Sequence, residues 1–118
     1  MSNILVTGGS GFIGSHIIDA LKEEKHNVYN MDVVKPSDAT NYVSINLNDT
    51  DSIINFLKEN SIEYVYHIAA IANARRSIED VVETMDVNVK GTASLLLACS
   101  EANIRKVILA STVWVYNA

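Results

Sequence analysis

Four of the chain's five glycines fall in one seven-residue stretch, Gly8-Gly9-Ser10-Gly11-Phe12-Ile13-Gly14. The stretch follows directly on an apolar run, Ile4-Leu5-Val6, and leads into a pattern of helical period. A strand that turns into a helix through glycines restricts a chain to few architectures. The helix packs closely on the strand, and bare backbone is left at the helix N-terminus. The turn fits G-x-G-x-x-G from Gly9 and G-x-x-G-x-x-G from Gly8. One reading is a tight turn that serves packing alone. The other is a pyrophosphate cradle, in which oriented N–H groups and the positive end of the helix dipole meet phosphate oxygens. The strand before, the helix after and an acidic residue, Asp32, about 20 residues beyond Gly11 favour the cradle.

The rest of the chain alternates short β-rich runs with longer helical patterns. Residues 3–7 read as a strand that is apolar on both faces, as a central parallel strand should be. Residues 12–25 read as a helix with Phe12, Ile13, His16, Ile17, Ala20 and Leu21 on one face. Residues 28–32 are a second strand, and residues 33–41, which hold the sole proline, Pro36, a loop. A third strand is expected over 42–47. A helix over 51–60 follows, with Ile53, Ile54 and Leu57 inward, and then a fourth strand over 63–68. A long helical region spans 78–102, opened by the capping-box pattern Ser77-Ile78-Glu79-Asp80. A fifth strand covers 104–111. Strands alternating with helices pair in parallel through crossovers, so the expected fold is α/β, an open doubly wound sheet of order 3-2-1-4-5. The six-stranded version of this sheet needs a further helix and strand, so residues 1–118 read as one incomplete domain.

Composition limits the function classes. The formal charge is −5, and beyond Arg75-Arg76 no cationic cluster stands out, which argues against a nucleic-acid surface. No apolar run approaches a membrane span of about 20 residues, and the first residues lack the basic start of a secretory leader. A cytoplasmic protein is the natural reading. With Cys99 the single cysteine, a disulfide within the chain and a cysteine-based zinc site are both excluded, and a buried thiol is expected in the segment Leu95-Leu96-Leu97-Ala98-Cys99. His67 has no evident histidine partner for a metal and reads as a structural strand-end residue.

Asp32 ends the second strand. A carboxylate there can accept from both adenosine ribose hydroxyls and would repel a 2′-phosphate, which favours NAD over NADP. Alternatively it caps the turn that follows. Lys35, close by, weakens the exclusion of NADP.

Beyond the glycine turn, three further segments carry a family pattern: His67-Ile68-Ala69-Ala70, Asn88-Val89-Lys90-Gly91-Thr92 and Ser111-Thr112-Val113-Trp114-Val115-Tyr116. Together with Thr7-Gly8-Gly9-Ser10-Gly11-Phe12-Ile13-Gly14, they make the chain resemble the N-terminal part of the NAD-dependent epimerases and dehydratases, extended short-chain dehydrogenase/reductases that act on nucleotide sugars. The resemblance implies that Gly8, Gly11 and Gly14, with the Phe12 and Ile13 backbone, cradle the pyrophosphate. It implies that Ile68, Ala69 and Ala70 line the nicotinamide-side ribose. Asn46-Leu47 falls where the family has Asp and an aliphatic residue at the adenine, and an Asn there can both donate and accept. Thr112 falls at the family's catalytic Ser/Thr, whose hydroxyl bonds the reacting sugar oxygen. For Asn88 the resemblance implies a substrate-lining role, set against a plain helix-surface position.

The family's hydride chemistry uses a Tyr-x-x-x-Lys pair, and no tyrosine here has Lys four residues on: Tyr29, Tyr42, Tyr64 and Tyr66 are followed there by Val33, Asn46, Ile68 and Ala70, and Tyr116 stands too near the end. In the family the pair and a substrate domain lie beyond the segment matched by Tyr116. The leading reading is therefore the NAD-binding portion of a nucleotide-sugar epimerase or dehydratase, inactive by itself, working in the intact parent by transient oxidation of a sugar hydroxyl. The rivals are a non-catalytic dinucleotide sensor on the same fold and a reductase of the superfamily with a non-sugar substrate, since a fold does not choose a substrate. A fifth strand left as a sheet edge, with apolar surface open beside it, implies a homo-oligomer or self-association of the chain.

Overall fold

A computed structural model describes residues 1–69 and 79–111. Five parallel strands form one sheet: β1 (Asn3–Thr7), β2 (Asn27–Met31), β3 (Tyr42–Val43), β4 (Tyr64–His67) and β5 (Lys106–Leu109), in the order β3-β2-β1-β4-β5. The central strand β1 pairs with β2 from Asn3↔Asn27 to Thr7↔Met31 and with β4 from Ile4↔Tyr64 to Thr7↔His67. The order and the class are those the sequence implies.

The pleat sorts β1 between two cores. Leu5 joins Met31, Val65, Ile53, Leu57, Leu95, Ala98 and Cys99 under α2 (Thr50–Glu59) and the helix Gly91–Glu101. Val6 joins Val28 and Ile18 under α1 (Phe12–Glu23) on the other face. Burial pushes the Cys99 thiol up to about 11, so it stays protonated at neutral pH and packs as an apolar group.

Three elements differ from the sequence expectation. In α1 the inward residues are Gly14, Ile17, Ile18 and Leu21, while Phe12 and Ile13 are 80% and 60% exposed. The glycine turn brings the first turn of α1 onto the strand edge through Gly14, which rotates Phe12 and Ile13 outward. The third strand stops at Val43 rather than reaching residue 47. Its ladder ends where Asp32 N–H donates to the Val43 carbonyl (3.2 Å), and Asn46 then folds the chain back, its Oδ1 accepting from Asn48 N–H (2.8 Å). The long helical region is divided. α3 (Val81–Met85) runs into a π-helical turn (Asp86–Lys90) and then α4 (Gly91–Glu101). A helix interrupted by a π-turn gains one residue and changes which face its side chains present. The start of the expected capping box, Ser77 and Ile78, lies outside the described residues; Asp80 caps α3, its carboxylate accepting from Glu83 N–H (2.9 Å).

Helices α1, α2 and α4 end alike without glycine. Lys25, Ser61 and Asn103 take positive φ (68°, 51°, 56°). The next N–H reaches five residues back in each case: His26 to Leu21, Ile62 to Leu57 and Ile104 to Cys99, at 3.0–3.1 Å.

The apolar run on α4 divides sharply: Leu95 is fully buried and Leu97 is 55% exposed. Leu95→Ala is expected to cost about 2–5 kcal/mol in denaturant unfolding, against under about 0.5 kcal/mol for Leu97→Ala; similar losses for the two would overturn this assignment of faces.

Candidate functional site

The carboxyl ends of β1, β2 and β4 open into a cleft of about 800 Å³. Its walls are the glycine turn, the end of β2, residues 44–48, Ile68 and Ala69, and Glu83, Asp86 and Val87. Ligands of open α/β sheets bind at such a crevice, where strand order reverses.

The glycines are required for two different reasons. Gly8 has φ +72°, and a Cβ there would stand 2.8 Å from the Ala69 backbone. A Cβ on Gly14 would overlap the Gly8 carbonyl oxygen and lie 2.8 Å from Gly9 Cα. These two hold α1 against the ends of β1 and β4. Gly11 has no such constraint. Its φ of −80° suits any residue, and an added Cβ would meet only Gly8 O at 3.4 Å. Among the described residues, packing does not require a glycine at Gly11, which lines the cleft.

The start of α1 is also bare. α2 is capped by Asp49, whose carboxylate accepts from Ser52 N–H (3.2 Å) and from the Ser52 hydroxyl (2.7 Å), and α3 by Asp80. These bonds hold Asp49 below the usual carboxylate range. At α1 the N-cap is Gly11, with no side-chain acceptor and no acidic residue in the first turn. Unpaired first-turn N–H groups, added to the helix dipole, make an anion site. The described lining residues include Asp32, Glu83 and Asp86 and no Lys, Arg or His. Among the described residues, the groups here suited to an anion are backbone N–H groups.

Asp32 sits at the lip. Its Oδ2 accepts from Ser10 N–H and its Oδ1 from Val34 N–H, both at 3.0 Å. It thus ties the glycine turn to the loop after β2, and each oxygen keeps capacity for a further donor. Asn30 supports the arrangement from behind, its Nδ2 donating to Ser10 Oγ (3.1 Å).

Of the residues expected from sequence, Gly8, Gly11, Phe12, Ile13, Gly14, Asp32, Asn46, Leu47, Ile68 and Ala69 all line this one cleft. Asn88 lies in the π-helical turn, half-buried, outside the described lining, and its carbonyl accepts from the Thr92 hydroxyl (2.9 Å). Ala70 and Thr112 lie outside the described residues. The sequence reading missed Ser44, Glu83, Asp86 and Val87, which no motif marks. It also missed Thr7, whose hydroxyl oxygen accepts from the N–H groups of Ile68 (3.1 Å) and Ala69 (3.2 Å) and so fixes that wall. Thr7 opens the Thr-Gly-Gly run, the one signal that could have shown it. No described helix is long and apolar enough to cross a membrane.

Residues 4–118 match the model of the NAD dependent epimerase/dehydratase family. UDP-glucose 4-epimerase of Mycolicibacterium smegmatis is 34% identical over 119 residues, covering 92% of this chain and 38% of that protein. UDP-N-acetyl-alpha-D-glucosaminuronate decarboxylase of Bacillus cytotoxicus is 33% identical over 120 residues, covering 96% of this chain and 37% of that one. Among solved structures, UDP-glucose-4-epimerase from Stenotrophomonas maltophila, with bound NAD and formylated UDP-arabinopyranose, superposes with a TM-score of 0.89 at 29% identity over 98% of this chain and 38% of its own. The chain thus spans under two-fifths of these relatives' length.

The two kinds of glycine are separable by stability. Gly14→Ala should destabilise the chain by about 1–3 kcal/mol or more, because backbone must move. Gly11→Ser should leave stability unchanged or raise it by a few tenths of a kcal/mol, since Ser supplies the cap that α1 lacks. Thermal unfolding of both variants checks this; a Gly11→Ser variant as unstable as Gly14→Ala would make Gly11 a packing residue.

Proposed function

The chain belongs to the NAD dependent epimerase/dehydratase family, and from that premise we propose that it is the NAD-binding portion of an enzyme acting on a nucleotide sugar. One observation carries the reading: the bare start of α1 opens, beside a glycine that packing does not require, into a cleft with an acidic residue at its lip.

In this reading the N–H groups of the first turn of α1 hold the pyrophosphate, and Gly11 lets it approach. Asp32 accepts from the adenosine ribose hydroxyls. Its charge, with Glu83 and Asp86 along the same cleft, opposes a 2′-phosphate, which makes NAD the cofactor rather than NADP. Asn46 and Leu47 meet the adenine. Ile68, Ala69 and Ala70 flank the nicotinamide-side ribose, where small residues allow close approach. Bound NAD would supply a hydride acceptor for transient oxidation of a sugar hydroxyl. Thr112 orients that hydroxyl by a hydrogen bond, and Asn88 lines the sugar site. The bound sugar in the Stenotrophomonas maltophila structure supports a nucleotide-sugar substrate for the whole protein. The Tyr-x-x-x-Lys base is then a property of the parent, and residues 1–118 alone bind without turning over.

Self-association belongs to the same proposal. β5 stands at one edge of the described sheet, and Val82, Met85, Val89 and Leu97 are exposed along α3, the π-turn and α4. A second copy of this chain covers them. Sedimentation at about tens of micromolar should show a dimer or larger species, and a strict monomer would remove this part of the reading.

Calorimetry with NAD and NADP tests the cofactor. NAD should bind at least about tenfold more tightly, a difference of about 1.4 kcal/mol, with Asp32→Asn narrowing the gap and Gly11→Ser weakening both. Absence of heat with either nucleotide, or tighter NADP, sinks the assignment.

A further inference from the structure

A buried chain of hydrogen bonds runs beneath the cleft wall from β1 through β4 to α4. Its members are Thr7, His67 and Thr92, and the direction of every bond follows from one end. The Asn88 carbonyl can only accept, so Thr92 Oγ1 donates to it (2.9 Å). Thr92 Oγ1 therefore accepts at its contact with His67 Nε2 (2.8 Å), which places the ring proton on Nε2. Nδ1 is then bare and accepts from the Thr7 hydroxyl (2.7 Å). The two lone pairs left on Thr7 Oγ1 are those that accept the Ile68 and Ala69 N–H groups. Ile68 N–H has a second acceptor in the Thr7 carbonyl (3.2 Å), whereas Thr7 Oγ1 is the acceptor for Ala69 N–H. Ala69 in turn rests against Gly8, where a Cβ would stand 2.8 Å away.

The network is complete with a neutral ring and cannot be completed with a charged one. A proton on Nδ1 turns that atom from acceptor to donor. Thr7 Oγ1 must then give a lone pair to the ring, turn its own hydrogen away and release one of the two backbone amides it holds. Ile68 N–H keeps the Thr7 carbonyl, so one of the bonds that fix the wall is lost, and among the described residues the Thr7 hydrogen has no acceptor other than Nδ1. The described neighbours add no compensating charge: β1, α4 and β5 present to His67 the uncharged Thr7, Thr92 and Leu109. Burial alone acts on the ring, holding its pKa below the ordinary 6.5.

We propose that His67 is a positioning residue: as the neutral Nε2–H form held between Thr7 and Thr92 it fixes the Ile68–Ala69 backbone against the glycine turn, and a proton on Nδ1 frees that backbone and weakens ligand binding in the cleft. The device rests on the dinucleotide reading for the identity of the ligand, and not for the coupling itself. Because the folded pKa lies below the unfolded one, the native form resists the proton. The ring's contribution to stability is full above about pH 6.5 and declines beneath it, whereas affinity falls only beneath the folded ring's own midpoint, which lies lower.

The test is an NMR titration of the nitrogen-15-labelled protein from about pH 8 to pH 5, with NAD affinity measured by calorimetry across the same range. At neutral pH the ring should show the Nε2-protonated signature. The Ile68 and Ala69 amide signals should move with the ring's own midpoint, and NAD affinity should fall by up to about tenfold per pH unit beneath it. In His67→Asn, whose Oδ1 can still accept from Thr7, the affinity should be flat with pH; if that variant does not fold, the wild-type titration decides. An Nδ1-protonated ring at neutral pH, amides that ignore the ring's titration, or wild-type NAD affinity that is flat with pH each overturn the proposal. Amides that follow the ring with no NAD heat at any pH support the device and remove the dinucleotide reading instead.

Discussion

Backbone lies on backbone where the glycine turn meets the sheet. Gly8 stands against Ala69 at the end of β4, and Gly14 stands against Gly8 and Gly9. No side chain fits at either contact, so the first turn of α1 sits directly on the ends of β1 and β4. The helix axis, the position of its bare N-terminus and the outward rotation of Phe12 and Ile13 all follow from that approach. A Cβ at Gly14 would lift α1 away from the sheet and carry off the small core of Val6, Ile18 and Val28 beneath it. Function and fold therefore share one constraint.

The sheet divides its load unequally. Among the described residues, the α2–α4 face buries nine residues in one cluster, while the α1 face buries three. The larger core packs on β1, β2 and β4 from the side away from the glycine turn. Asp32 then links turn to loop through Ser10 and Val34. Ligand binding at the α1 start has few buried contacts to disturb.

Most of the architecture was legible because it rests on signals of short range. Apolar runs gave four of the strands within two or three residues at their ends, and the glycine turn located both α1 and the cleft. The misses share a physical cause, since each depends on what a segment packs against. Residues 44–47 have β-like composition, yet a local Asn46–Asn48 turn wins over ladder bonds that have no partner. The helical region read as continuous over 78–102 is divided by the π-turn at Asp86–Lys90, which no local signal marks. The helix ends fall within two residues of the expected 25, 60 and 102, but their cap geometry was not legible, because glycine is concentrated in the turn and Lys25, Ser61 and Asn103 take the left-handed conformation instead. In the site, the glycine turn and Asp32 were readable, whereas Glu83, Asp86 and Val87 reach the cleft only through the fold of α3 and the π-turn.

The cleft's charge follows from the same economy of backbone. A cationic side chain would hold a diphosphate strongly but without regard to shape, and it would welcome a further phosphate elsewhere in the cleft. Here the described lining offers carboxylates and amides, so among the described residues attraction for an anion is concentrated at the start of α1, and Asp32, Glu83 and Asp86 oppose it elsewhere. An uncapped helix is less stable than a capped one by about 1 kcal/mol. α2 and α3 avoid that loss through Asp49 and Asp80, and α4 continues directly from the π-turn, whereas α1 begins at Gly11 with no side-chain cap. In the proposed reading an anion at the turn would recover that loss, so free energy that a cap would have given to folding would be available to binding.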